Sequence, residues 1–155
     1  MKQSWDHPEP FILELRAGTA DVDSYGHVNN VVYLRWLEQC AWAHSAAVGL
    51  PESRCIEMKR GMAVRSIRLD YLAACYAGDE ILVGNWISRS DRRLRISRRY
   101  QLINGTRDIT VMRGEIDFVC LNLANGRPVR LPPEFIEAYR VVLDTPESEQ
   151  TPVSR

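Results

Sequence analysis

The segment NNVVYLRWLEQCAWAHSAAV, from about Asn29 to Val48, constrains the fold more than any other part of the chain. Val31, Leu34, Leu37, Ala41 and Val48 lie near one helical stripe, and Tyr33, Trp36, Cys40 and Ala43 widen it. Gly49 is a natural stop, reinforced by Pro51. A helix apolar over so much of its circumference must be wrapped by other structure rather than rest on a surface.

The wrapping is expected from strands. FILELRA (Phe11 to Ala17) reads as a strand before the helix. After PESRCIEMKRG, a stretch without a clear pattern, MAVRSIRLDYLA puts Ile67, Leu69 and Tyr71 on one parity and Arg68 and Asp70 on the other. In EILVGNWI, Ile81, Val83 and Ile87 share a face, with Leu82 and Trp86 opposite. RLRISRRYQLI groups Leu94, Ile96, Tyr100 and Leu102. Asn104-Gly105 is a strong hairpin signal, Gly114 a candidate bulge in the long last strand, and Asn125-Gly126 a second turn. LPPEFIEAYRVVL suits a terminal helix starting near Pro132 or Pro133. The order strand, long helix, four strands in meander predicts an α+β architecture with one helix segregated onto an antiparallel sheet. Residues 1–9 read as a polar leader, 10–143 as a single domain and 144–155 as a disordered, Pro/Ser/Glu/Gln-rich tail. Arg98 fits poorly: it falls on the apolar parity of its strand and needs an edge, a partner charge or a neighbouring subunit. Arg113 and Glu115 raise a similar question.

Twenty basic residues balance twenty acidic ones, so no global charge argues for nucleic acid or an anionic membrane surface. Cys40, Cys55, Cys75 and Cys120 are widely spaced, without metal-ligand or disulfide-framework spacing. Free buried thiols in a reducing compartment are expected, and no metal or other cofactor. MKQSWDHPEP lacks the apolar run of a signal peptide, and no segment approaches the roughly 18 apolar residues of a membrane span. The expected location is the cytoplasm.

The polar stretch DVDSYGHVNN (Asp21 to Asn30) abuts the helix directly. Capping and turn formation explain its members singly: Asn29 or Asn30 as N-cap, Gly26 as turn residue, Asp21 and Asp23 as turn formers. One cap needs one side chain, however, and this segment offers several. The first turn of a helix presents unpaired N–H groups and a positive dipole end. A carboxylate just upstream would add a base or nucleophile to an oxyanion-type donor, two parts of an acyl-transfer site.

Read as D-x-D-x-x-G-H-V-N-N-x-x-Y-L-x-W-L-E, Asp21 to Glu38 resembles the signature of hotdog-fold acyl-CoA thioesterases, specifically the 4-hydroxybenzoyl-CoA thioesterase-like family. The element order is similar from about Phe11 to Tyr139, including the ending DFVCLNLANGRPVRLPPEFIEAY. The resemblance implies a five-stranded antiparallel sheet wrapped around one long helix, and hydrolysis of an acyl-CoA (or acyl-carrier-protein) thioester. Asp23 falls on the family's catalytic carboxylate, as nucleophile or as base for water. Gly26 would permit close approach of the thioester, and backbone N–H groups near Asn29 and Asn30 would polarise its carbonyl. His27 would position water or the carboxylate, or only bond the loop. Glu38 sits where related sequences carry an acid on the helix, with pairing to an arginine as the alternative. Asp21 is expected to tie the strand end.

Among the arginines between Arg89 and Arg99, Arg92 and Arg93 at the turn are the candidates for the coenzyme A phosphates. His44 is expected in packing or at the surface, and Cys40 to be inert in mid-helix. An open sheet edge and the resemblance together imply a dimer through Met62 to Leu72 with composite sites. Leu82 and Trp86, opposite the helix, point on to a tetramer unless the C-terminal helix or tail covers them. A non-catalytic acyl-CoA-binding protein is the rival reading; a hotdog dehydratase would need a His/Asp arrangement that is not found.

Overall fold

The computed structural model describes residues 4–143, so the proposed tail lies outside the described residues. The elements are β1 (Phe11–Arg16), a 3-10 turn (Thr19–Asp21), α1 (Asn30–Ala47), α2 (Glu52–Met58), β2 (Arg60–Tyr71), β3 (Glu80–Ser90), β4 (Arg95–Asn104), β5 (Ile109–Asn122) and α3 (Pro133–Ala138). The strands form one antiparallel sheet in the order β1-β3-β4-β5-β2. With α1 against one face, this is the α+β hotdog arrangement that the patterning and the resemblance predicted.

The meander is shorter than expected. β3, β4 and β5 run as a meander, but β2 pairs with β5 at the far edge and β3 pairs with β1. Alternation fixes which side chains point inward, whereas the choice of neighbouring strand is made by long-range pairing. PESRCIEMKRG contains α2, which the pattern did not reveal because Cys55 is its one buried residue.

Helix α1 buries Val32, Tyr33, Trp36, Leu37 and Cys40, while Val31 is 70% exposed. The core stripe therefore keeps Leu37, with Leu34 and Val48 at its margin, and is centred on the widening side of Tyr33, Trp36 and Cys40, so that Val31 faces outward. Inward from the sheet come Ile81, Val83, Ile87, Ile96, Tyr100, Leu102 and Ile116. Gly114 is not a bulge: it pairs regularly with Leu69 and Tyr100. The irregularity in β5 falls opposite Leu102 and Ile103, skipping Val111. A Cβ on Gly114 would lie 2.6 Å from Leu69 Cδ2, so close packing explains the glycine.

On the opposite face, Trp86 is buried, and neither the C-terminal helix nor a second subunit is what covers it. The polar leader does: Trp5 and His7 meet its ring edge-on, and its Nε1 donates to the Pro8 carbonyl at 3.0 Å. Asp6 pairs with Arg113, which answers the question that arginine raised, and Glu115 lies between Arg89 and Arg99. Trp86 therefore offers no exposed apolar surface for association into a tetramer. Among the described residues, no helix is long and apolar enough to cross a membrane.

Candidate active site

The chain leaves β1 and folds Asp21 to Asn30 into a compact loop against the start of α1. Val22 and Val28 form an isolated antiparallel bridge, closing a tight turn between them. Gly26 sits in that turn at φ +86°, where a side chain would be strained. The Asp23 carbonyl accepts from Gly26 N–H at 3.0 Å, and Asp23 Oδ1 accepts from Tyr25 N–H at 2.9 Å. Asp23 is thus half-buried at the base of the turn with its carboxylate held in place by the backbone. Val28 N–H donates to the Cys75 carbonyl at 2.8 Å, fastening the loop to the segment that leads into β3.

Asp21 is structural here. Its Oδ2 accepts from Gly18 N–H at 2.8 Å, its Oδ1 pairs with Arg35, and its carbonyl accepts from Asn29 N–H at 2.9 Å. One aspartate therefore ties strand end, loop and helix together.

The helix start is partly consumed by its own cap. Asn29 is the N-cap, its side chain accepting from Val31 N–H at 3.3 Å while its carbonyl accepts from Val32 N–H at 2.9 Å. With Asn29 N–H given to Asp21, the Asn30 N–H is the amide at this end for which the described residues supply no hydrogen bond. The Asn30 carbonyl accepts from Tyr71 Oη at 2.8 Å, linking the helix start to the end of β2. His27 is half-buried between aromatics, 6.0 Å from the Tyr76 ring and 6.4 Å from that of Tyr25, which is itself 83% exposed. Asp23, Gly26, His27, Asn29 and Asn30 are thus brought together.

Glu38, Arg92 and Arg93 are not in that cluster. Glu38 lies two turns along α1, exposed at the rim of a cavity of about 230 Å³ between α1 and the sheet. Leu34, Trp42, Met62, Ile67 and Phe118 supply apolar walls to this cavity. Arg92 and Arg93 are exposed in the β3–β4 turn, which Asp91 Oδ1 organises by accepting from the N–H groups of Arg93, Leu94 and Arg95. Arg92 has φ +57° there. The Asp23 loop follows the end of β1 that pairs with Glu80, whereas Arg92 follows Ser90. The length of β3 thus separates them within one chain, roughly 33 Å at strand rise.

The remaining histidine and thiol are packing groups. His44 stacks on Phe11 with ring centroids 4.8 Å apart, and burial together with the Arg98 charge holds its imidazole down at about 4. Cys40 is buried, accepts from Asn85 Nδ2 at 3.1 Å, and is pushed up to about 11 by burial, so it is no nucleophile at neutral pH. The four cysteines are all free and buried.

The model of the thioesterase-like superfamily matches residues 17–139, and the chain belongs to that superfamily. Fold and family together define the class of the hotdog-fold thioesterases, hydrolases of the thioester bond. Solved structures agree in fold. A 1,4-dihydroxy-2-naphthoyl-CoA thioesterase from Synechocystis superposes with a TM-score of 0.76 at 20% identity, over 84% of this chain and 96% of that one. A DHNA-CoA thioesterase from Staphylococcus aureus gives 0.78 at 21% identity, over 84% and 88%. A further Staphylococcus aureus protein, solved in complex with CoA, gives 0.78 at 14% identity, over 100% and 98%. No protein of curated function matches the sequence significantly.

Proposed function

We propose that this protein hydrolyses an acyl-CoA thioester, with Asp23 as nucleophile or as base for water and the Asn30 N–H polarising the carbonyl. The observation that carries this reading is the pairing, in one loop, of a backbone-held carboxylate with a helix-terminal amide left unused by the cap. A thioester carbonyl is electrophilic and thiolate leaves readily, so an oriented carboxylate and a fixed dipole are sufficient machinery. One such donor contributes on the order of 3 kcal/mol where charge develops on oxygen. Gly26 leaves the approach open, and His27, whose carbonyl accepts from Asp23 N–H at 3.1 Å, is the candidate in the loop to orient water.

The substrate in this reading is a CoA ester rather than an acyl-carrier-protein thioester, with Arg92 and Arg93 taking the phosphates across a subunit boundary. β2 is an edge strand carrying exposed Val64, Ile67 and Tyr71, with Leu72 just beyond it, a surface suited to pairing with a second copy. A two-fold dimer through this edge gives each site parts from both chains. Four free thiols suit a reducing compartment such as the cytoplasm. Thiol release from a panel of short, long and aryl CoA esters tests the reading. Binding without turnover of any of them would make the chain an acyl-CoA-binding protein instead.

A further inference from the structure

The cavity between α1 and the sheet has a polar floor that the proposed chemistry does not use. Arg98 is 2% exposed and lines this cavity, and among the described residues no carboxylate lies within 4.0 Å of it. Its partners are neutral acceptors: His44 Nδ1 at 2.6 Å, Asn85 Oδ1 at 2.8 Å and Ser45 Oγ at 3.2 Å. The rings of Tyr139 and Phe118 flank the guanidinium at 5.3 and 6.0 Å, which offsets only part of the cost of burying a cation.

Tyr100 is the second, independent observation. It precedes Leu102 on the helix-facing side of β4, two residues beyond Arg98 and so roughly 7 Å along the strand. It lines the same cavity, is 2% exposed, and its hydroxyl has no hydrogen-bond partner among the described residues. Burial pushes that phenol above its ordinary range, so it remains a donor. Buried hydroxyls are nearly always satisfied, and one left open beside an unneutralised guanidinium calls for an acceptor. Glu38 shares the cavity from an exposed position at the rim, and its charge reaches Tyr100 only as the smallest of the effects that raise that phenol.

We propose that this cavity binds the far end of the acyl group and that this end is a carboxylate, held by Arg98 and Tyr100. The substrate class is then the mono-CoA thioester of a dicarboxylic acid. The inference rests on the thioesterase reading and adds its specificity. About 230 Å³, the share of roughly eight waters, limits the acyl group to a short or medium chain.

The test pairs turnover with binding. Glutaryl-, adipyl- and pimeloyl-CoA are compared with valeryl-, hexanoyl- and heptanoyl-CoA as substrates of the full chain. The corresponding non-hydrolysable thioethers are compared by calorimetry. The carboxylated member of at least one pair is expected to win by about a hundredfold in kcat/KM, mostly through KM, and similarly in Kd. Tyr100→Phe removes an unbonded hydroxyl, so the protein should fold with unchanged or higher Tm while that preference falls about tenfold. Arg98→Gln should abolish the preference, and Arg98→Lys should restore part of it. Equal or better use of the alkyl esters, with equal thioether binding, overturns the proposal while leaving thioester hydrolysis standing. A carboxylate preference in binding without turnover of any ester supports the site and overturns the hydrolase reading instead. A preference that survives both Tyr100→Phe and Arg98→Gln overturns the assignment of these residues.

Discussion

Trp5 occupies the space that a side chain on Gly84 would fill: a Cβ there would come within 2.4 Å of the Trp5 ring. The same ring stands edge-on to Trp86 at 6.1 Å. The N-terminal segment is thereby a cover for the outer face of the sheet, seated by the absence of a side chain on β3.

Gly84→Ala should therefore displace Trp5 and uncover Trp86, costing about 1–3 kcal/mol, the usual range for overpacking a buried contact. Trp5→Ala should cost a comparable amount. Made together, the two changes should be clearly less than additive, because the clash disappears with the indole. Urea unfolding of the four proteins reads this directly, and full additivity would mean that Trp5 does not sit over Gly84.

Asp23→Asn keeps an oxygen for the Tyr25 N–H and so keeps the turn. Turnover should fall at least about a hundredfold, the low end for losing an acid–base group, with little change in Tm. Activity within a few-fold of the parent would remove Asp23 from the mechanism. Asp21→Asn is the contrast: it weakens the link to Arg35 and should act mainly on stability.

Replacing Arg92 and Arg93 together by Ala should raise KM for acyl-CoA several-fold more than it lowers kcat, since phosphate anchoring is remote from the reacting carbon. A pantetheine thioester lacking the nucleotide should be nearly indifferent to the change. Equal losses on both substrates would show that the β3–β4 turn only supports the fold.

Arg92 and Asp23 lie at opposite ends of β3, so the proposed assignment of both to one site requires a second chain. Light scattering at micromolar concentration should report a dimer, and specific activity per chain should fall on dilution below its dissociation constant. A fully active monomer would end the composite-site account.

His44 supplies a pH dependence whose sign follows from its depressed value of about 4 against an ordinary 6.5. A histidine held neutral in the fold contributes stability that is complete above the unfolded value and is lost as pH falls through the folded one. Stability should thus decline between about pH 6.5 and 4, by an amount on the order of 1–2 kcal/mol after allowing for partial exposure. The carboxylates that hydrogen bonds and nearby positive charges hold below their ordinary range, against the opposing effect of burial (Asp6, Asp91 and Asp117), lose their contribution only at lower pH. His44→Gln, which keeps an acceptor for Arg98, should flatten the upper window in a Tm-against-pH series; an unchanged slope would assign it elsewhere.

Local chemistry was enough for much of this. The apolar spread around Trp36, Leu37 and Cys40 demanded a wrapped helix, Gly49 and Pro51 ended it, and Asn104-Gly105 turned β4 into β5. The crowding of Asp21 to Asn30 against that helix marked the candidate site, because helix ends and turns use short-range hydrogen bonds between near neighbours. Other features depend on residues far apart in the chain and leave no local trace. The pairing of β2 with β5 joins Ile67 to Ile116, and the cover over Trp86 comes from Trp5. Arg98 shows the boundary most clearly. Strand parity alone flagged a charge on an inward face; only the folded structure put His44, Asn85 and Ser45 around it, left the Tyr100 hydroxyl without a hydrogen bond among the described residues, and opened a cavity beside both. Parity is a property of one strand, whereas solvation of a buried charge is decided by every element that packs against it.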